Sequence, residues 1–404
     1  MALPGTINYS GEEGLKAILR ILARQSSLRR MDLSRNEKIG PSFDFWKAKS
    51  SLSLAAPIFP GLTYLDLSAC CLNTESCISL LKALQMDRTD LSCNERQQDM
   101  TEKSARDLVL KLNSNNLSDS NSVKEMMDLL AKGDLVTELY ISKCRIDDDG
   151  LRQIVEAGCC SSKVKEQGSG VNESSILYLR VLDLSSNNLT TISHLVNLSP
   201  NDSSRPDCHY FSQMRTLNLS GNNIGQTLFN AIECNPQWIT SLEELDLSHV
   251  SCEIAAAVEL IRCSNSQDSS LKKLNLFGNG IGSNGFLELS KVLHGGHLSL
   301  EYLDLGGNGA TESGVVALVE VLKNNLTCGD DNSGLRSTEL KLENALRVLV
   351  VGGNSGGPAL EKAVKEIGKF HPNLDIARDK PKPKNGGMFG GNAINNAPGT
   401  SWMS

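Results

Sequence analysis

The sequence holds few side-chain groupings able to do covalent or metal chemistry. Ser355, in the run Gly353-Asn354-Ser355-Gly356-Gly357-Pro358, is the candidate nucleophilic hydroxyl. Such a nucleophile needs a histidine base steered by a carboxylate, and none of His194, His209, His249, His294, His297 or His371 has that kind of context. His294 and His297 share a short Leu-His-Gly-Gly-His-Leu segment that reads as a loop from helix to strand. There is no Gly-x-x-x-x-Gly-Lys-[Ser/Thr] phosphate loop and no His-Glu-x-x-His, and the glycines near Gly352 do not make a dinucleotide fingerprint. The 12 cysteines include the neighbours Cys70-Cys71 and Cys159-Cys160, yet no Cys-x-x-Cys and no zinc-ligand spacing occurs. The expectation is a non-enzymatic chain with no catalytic, cofactor or metal residues.

What positions residues in this chain is a repeat. Leu179, Leu182, Leu184 and Asn187 spell Leu-x-x-Leu-x-Leu-x-x-Asn, and Leu271, Leu274, Leu276 and Asn279 spell it again. Indexed by the second apolar position, copies fall at Met31, Leu65, Thr89, Leu110, Leu139, Leu182, Leu217, Leu245, Leu274, Leu303 and Leu349. The basic period, 28 to 29 residues, leaves room for a strand and a true helix in each unit. Apolar residues at helical spacing follow the strands, as in 281–293 (Phe286, Leu289, Val292, Leu293, with Ser283 or Asn284 as cap) and 311–322 (Val315, Leu318, Val321, Leu322). The same reading fits 11–22, 75–84, 123–131, 150–156 and 359–367. One strand and one helix cannot bury both apolar faces, so the copies must stack into a solenoid.

These motifs resemble the ribonuclease-inhibitor-like class of leucine-rich repeat proteins, over about residues 15–376. The resemblance implies an α/β horseshoe of about 11 repeats, with a parallel concave sheet and convex helices. It also explains Ser355: the run 353–358 is worded like the nucleophile segment of chymotrypsin-like proteases, but Asn354 falls in register as the repeat asparagine and Pro358 opens a helix. The asparagine column (Asn36, Asn94, Asn115, Asn187, Asn222, Asn279, Asn308, Asn354) is read as bonding backbone groups at the strand-to-turn bend. Cys70 and Cys144 occupy the same position as buried thiols. The weakest copies lie in 84–116, and insertions near 50–60, 158–177, 198–213 and 324–344 would emerge along one rim.

In x-Leu-x-Leu-x the leucines point inward and the x residues outward. The central outward column reads Asp32, Asp66, Asp90, Lys111, Tyr140, Asp183, Asn218, Asp246, Asn275, Asp304, Val350, and the column before it includes Arg30, Tyr64, Arg88, Glu138, Thr216, Glu244, Lys273 and Tyr302. Carboxylates in a row, with strands about 4.8 Å apart, suit a basic protein face. The candidate partner-binding residues are Tyr64, Asp66, Tyr140, Asp183, Glu244, Asp246, Tyr302 and Asp304, the tyrosines as anchors.

Composition bounds the rest. With 40 Lys+Arg against 47 Asp+Glu the net charge is −7, which gives no footprint for direct nucleic-acid binding. Aromatic residues make up 4% of the chain, whereas 59 of 404 residues are leucine, so the core must be leucine-packed. No secretory signal and no run of 18 apolar residues is visible, so no membrane association is expected. The thiols read as reduced in an intracellular protein of the nucleus or cytoplasm. The expected organisation is a flank with a partial repeat helix (1–27), the solenoid (28–376) and a disordered tail (377–404) bearing Lys380, Lys382, Lys384, Phe389 and Trp402. The segment 371–380 and the Asp-Leu-Ser strands also resemble plant Tonsoku-type chromatin proteins, which implies nuclear genome maintenance. That family's N-terminal tetratricopeptide-like region is not in this sequence. The chain reads as a protein-binding scaffold; the alternative is a GTPase-activating protein resembling the Ran regulators, whose acidic C-terminal segment has no counterpart in the Lys-bearing tail.

Overall fold

The computed structural model describes residues 1–6, 11–22, 27–40, 43–45, 47–48, 62–94, 108–133, 136–160, 179–195, 213–266, 268–293, 300–327, 346–370 and 373–378. His209, His294, His297, His371, the tail residues 379–404 and most of the four insertions lie outside them. The chain forms two compact units, Met1–Leu242 and Glu243–Ser404.

In the first unit, the described short strands and helices follow in the order α1 (Gly11–Leu22), β1 (Arg30–Asp32), β2 (Tyr64–Asp66), α2 (Thr74–Asn94), β3 (Leu108–Lys111), α3 (Ser120–Gly133), β4 (Val136–Tyr140), α4 (Asp148–Cys160), β5 (Val181–Asp183), β6 (Thr216–Asn218), α5 (Gly225–Cys234) and the single turn α6 (Gln237–Thr240). The strands pair in parallel and in chain order, with Met31, Leu65, Leu110, Leu139, Leu182 and Leu217 in one register line. All six are buried, as are Leu33, Leu67, Leu112, Ile141, Leu184 and Leu219 two residues on. Each fully buried side chain of this size contributes about 1.5–3 kcal/mol. Residues ahead of α1 extend the ladder: the Leu3 amide donates to Asp32 O, the Asp32 amide to Met1 O and the Gly5 amide to Ser34 O.

The second unit repeats the scheme with β7 (Glu244–Asp246), α7 (Ile254–Ser264), β8 (Lys273–Asn275), α8 (Gly282–Leu293), β9 (Tyr302–Asp304), α9 (Glu312–Thr327), β10 (Val348–Val350), α10 (Pro358–Phe370) and β11 (Asp375–Ala377). Its parallel register lines Leu245 with Leu274, Leu303, Leu349 and Ile376. The strand-plus-helix repeat expected from the sequence is therefore present in both units.

Three expectations are corrected. The copy at Thr89 is not a strand: 74–94 is one helix, so Arg88, Asp90 and Asn94 belong to no strand column. With Thr89 in place of the central leucine, that stretch lacks a side chain that would hold a strand against the core. Val292 and Val321 are half-buried, while Val319 is buried in their stead. Ser283 lies inside α8, and its Oγ accepts a bond from the Thr311 amide at 2.8 Å, tying two repeats together.

The asparagine column is a hydrogen-bonded ladder. Asn115 Nδ2 donates to Leu112 O in its own repeat and to Leu67 O in the preceding one, and its Oδ1 accepts the Cys70 and Leu72 amides. Asn187, Asn279, Asn308 and Asn354 repeat this pattern. Cys70 and Cys144 fill the same position: each Sγ faces a carbonyl, Leu33 O at 3.1 Å and Leu112 O at 3.2 Å. Just before each ladder position the chain turns through positive φ, from Arg35 (61°) and Ala69 (55°) to Gly278 (70°) and Gly353 (78°).

Candidate partner-binding faces

The outward column is built by the turn that ends each strand. Asp32, Asp66, Asp183, Asp246 and Asp304 all use Oδ1 to accept the backbone amide two residues on, at 2.8–2.9 Å. Asn218 and Asn275 make the same bond at 3.0 Å. An Asx residue here closes the strand-to-turn bend. Local structure thus accounts for one carboxylate oxygen in each aspartate.

On the first unit's face the register brings Asp32, Asp66, Lys111, Tyr140, Asp183 and Asn218 into line. The Arg30 guanidinium lies 4.0 Å from the Tyr64 ring centre. Lys111 Nζ sits between two rings, 4.7 Å from Tyr140 and 5.6 Å from Tyr64. The Tyr64 hydroxyl donates to Asp66 Oδ2 at 3.3 Å and the Tyr140 hydroxyl to Glu138 Oε2 at 2.9 Å. Burial, then the Asp66 charge, pushes Tyr64 up to about 12; burial and the Glu138 charge raise Tyr140.

On the second unit's face, Lys273 Nζ pairs with Glu244 Oε1 at 2.5 Å with both side chains largely buried. Asn275 Nδ2 donates to Asp246 Oδ2 at 3.0 Å, and the Tyr302 hydroxyl to Asp304 Oδ2 at 3.2 Å. Burial pushes Asp304 up to about 6, against the bonds from Gly306 and Tyr302 that favour its charge; burial also raises Asp246. Beyond the strands, the His249 and Phe277 rings meet edge to face at 5.3 Å. The His249 ring crowds the place a Cβ on Gly278 would take, and the Phe277 ring that of Gly306 and Gly307.

All eight residues singled out from the sequence fall in the two outward columns, four in each unit. Tyr64, Asp66, Glu244 and Asp246 are half-buried, whereas Tyr140, Asp183, Tyr302 and Asp304 are only 6–8% exposed. The cations among them, Arg30, Lys111 and Lys273, and the rings of Phe277 and His249 were not singled out. Phe277 had a legible signal: it stands two residues after the central column position, where the other repeats have Ser, Asn or Gly. Asn354 bonds as a ladder asparagine, the Ser355 amide donates to Ala310 O and Pro358 opens α10, so the run 353–358 is repeat structure. Among the described residues there is no group of three or more potential metal ligands and no helix long and apolar enough to cross a membrane.

Two family models match the sequence, both described as leucine-rich repeat. One matches residues 135–155 and 267–290, the other residues 178–198 and 213–235. A search of curated proteins gave no match. Among solved structures the chain is similar to one described as a TLR13–ssRNA13 complex, with 18% identity and a TM-score of 0.40 over 81% of this chain and 36% of that one. It is similar to the Rad7 and Elc1 complex in yeast (15% identity, TM-score 0.39, 91% and 88% covered). An internalin (inlF) from Listeria monocytogenes is also similar (15% identity, TM-score 0.33, 94% and 92% covered).

Proposed function

Taking as premise that this is a leucine-rich repeat protein, we propose that it is a non-enzymatic scaffold whose outward strand faces bind a protein partner with a basic surface. The observation that carries this reading is the choice of aspartate over asparagine. Asn218 and Asn275 close the same bend with the same bond, so where this bond is made it takes an Oδ1 acceptor and not a charge. Asp32 and Asp66 nevertheless stand directly opposite each other on neighbouring strands, where like charges are unfavourable. A charge that the turn does not require, kept against local repulsion, suits an external cation.

The mechanism is complementarity from a preorganised surface. Tyr64, Tyr140 and Tyr302 are tied through their hydroxyls to Asp66, Glu138 and Asp304, so little side-chain freedom remains to be lost on binding. The acidic field steers approach and selects for sign. A role in nuclear genome maintenance rests on the resemblance to Tonsoku-type proteins, and the ribonuclease-inhibitor-like assignment on the helices that follow the strands.

The test is affinity capture from nuclear and cytosolic extracts, comparing wild type with the Asp32→Asn/Asp66→Asn/Asp246→Asn variant. Asparagine keeps the Oδ1 bond that closes the bend and removes the charge, together with the Oδ2 acceptor that meets the Tyr64 hydroxyl at Asp66 and Asn275 Nδ2 at Asp246. Basic proteins retained by wild type alone support the reading; identical captured sets overturn it.

A further inference from the structure

Phe277 departs from the repeat in a way the fold does not call for. Two residues after the central column position the other repeats carry Ser34, Ser68, Asn113, Ser142, Ser185, Ser220, Ser248, Gly306 and Gly352, and only here does a large apolar ring take the place. The ring is half-buried, not sunk in the core. Two glycines of the next repeat stand where the ring comes closest: a Cβ on Gly306 would come within 2.7 Å of Gly352 O and 2.8 Å of Phe277 Cδ2, and one on Gly307, at positive φ, within 2.9 Å of Cζ. His249, exposed, braces the ring from the other side at 5.3 Å. A ring set in place by two neighbouring repeats has little freedom to lose on contact.

Carboxylates lie beside it. The same Gly306 Cβ position that is 2.8 Å from the Phe277 ring is 3.1 Å from Asp304 Oδ1, and Asp246 stands in the same column as Asp304, on the strand before that of Asn275. An aromatic face next to partly desolvated carboxylates is a setting for a cationic side chain, attracted by the ring quadrupole and the charge together. We propose that Phe277, with Asp246 and Asp304, forms the anchor site at which the second unit takes a Lys or Arg side chain of its basic partner. This rests on the acidic-face reading and adds where on that face the energy is concentrated.

The test uses the full chain and fluorescein-labelled nona-lysine and nona-arginine peptides as probes, read by anisotropy at low and physiological salt. Phe277→Ser installs the residue most other repeats have, and circular dichroism checks that the fold is kept. The expectation is a loss of about three- to tenfold in affinity for Phe277→Ser and for Phe277→Leu at both salt levels, with Phe277→Tyr near wild type. Phe277→Leu binding like wild type would replace the cation contact with a merely apolar one and overturn the proposal. Phe277→Ser unchanged while Asp246→Asn weakens binding would overturn the anchor and leave the acidic face standing. No binding by wild type would overturn both.

Discussion

The backbone amide of Asn279 donates to Oδ1 of Asn308 at 2.8 Å, and that of Asn308 to Oδ1 of Asn354 at 3.0 Å, so these ladder asparagines are each held by the one in the next repeat. Asn308 also donates to Leu276 O and Leu305 O, at 3.0 and 2.9 Å. Asn308→Leu leaves the Asn279 and Ile281 amides buried without their acceptor, at about 1–3 kcal/mol each, while Leu276 O and Leu305 O keep the Nδ2 groups of Asn279 and Asn354. We expect a loss on the order of 3–5 kcal/mol in urea unfolding of the full chain, with faster hydrogen exchange centred on β8 and β9. A loss below about 1 kcal/mol would show that water replaces the ladder.

Asp304 gives a pH dependence of definite sign. Its folded value, about 6, lies above the ordinary carboxylate value. The folded chain therefore holds the proton more tightly than the unfolded chain, and stability rises as pH falls from about 6 to about 4. At pH 7.5 the buried charge costs on the order of 2–3 kcal/mol. Asp304→Asn keeps the acceptor for the Gly306 amide, so it should raise the melting temperature at pH 7.5 and give no gain near pH 4. An equal effect at both values would contradict this.

Neighbouring cysteines should differ in reactivity. Cys70 is buried in a ladder position and pushed up to about 12 by desolvation, whereas Cys71 is exposed. Iodoacetamide followed by peptide mass spectrometry should mark Cys71 and Cys234 in the native protein. Cys70 and Cys144 should react only after unfolding.

Ala69 adopts φ 55° in the turn where four repeats have glycine. A left-handed conformation costs a non-glycine residue about 1–2 kcal/mol, partly offset by the greater backbone entropy of an unfolded glycine. Ala69→Gly should therefore stabilise by about 0.5–1 kcal/mol in urea unfolding; destabilisation would show that the Ala69 methyl packs.

The repeat was legible wherever its leucines were intact. α1 matches its expected span, 11–22, at both ends, and the ladder role of Asn354 was readable because Leu346, Leu349 and Val351 precede it in register. The stretch around Thr89 was misread because an Asn or Asp at the right spacing imitates the motif without its apolar anchors. The outward column could be placed from alternation alone. Its chemistry could not, because the pairing of Lys273 with Glu244, the packing of Lys111 between Tyr64 and Tyr140 and the burial of Asp183 depend on neighbours about 30 to 45 residues away in sequence.

The central claim is that the column charge serves an outside partner and not the turn. Its most direct measurement is the capture comparison of wild type with the Asp32→Asn/Asp66→Asn/Asp246→Asn variant, run after matching melting temperatures have shown that the bend bonds survive. The account predicts a set of basic proteins retained by wild type and lost from the variant. The same set retained by both would contradict it.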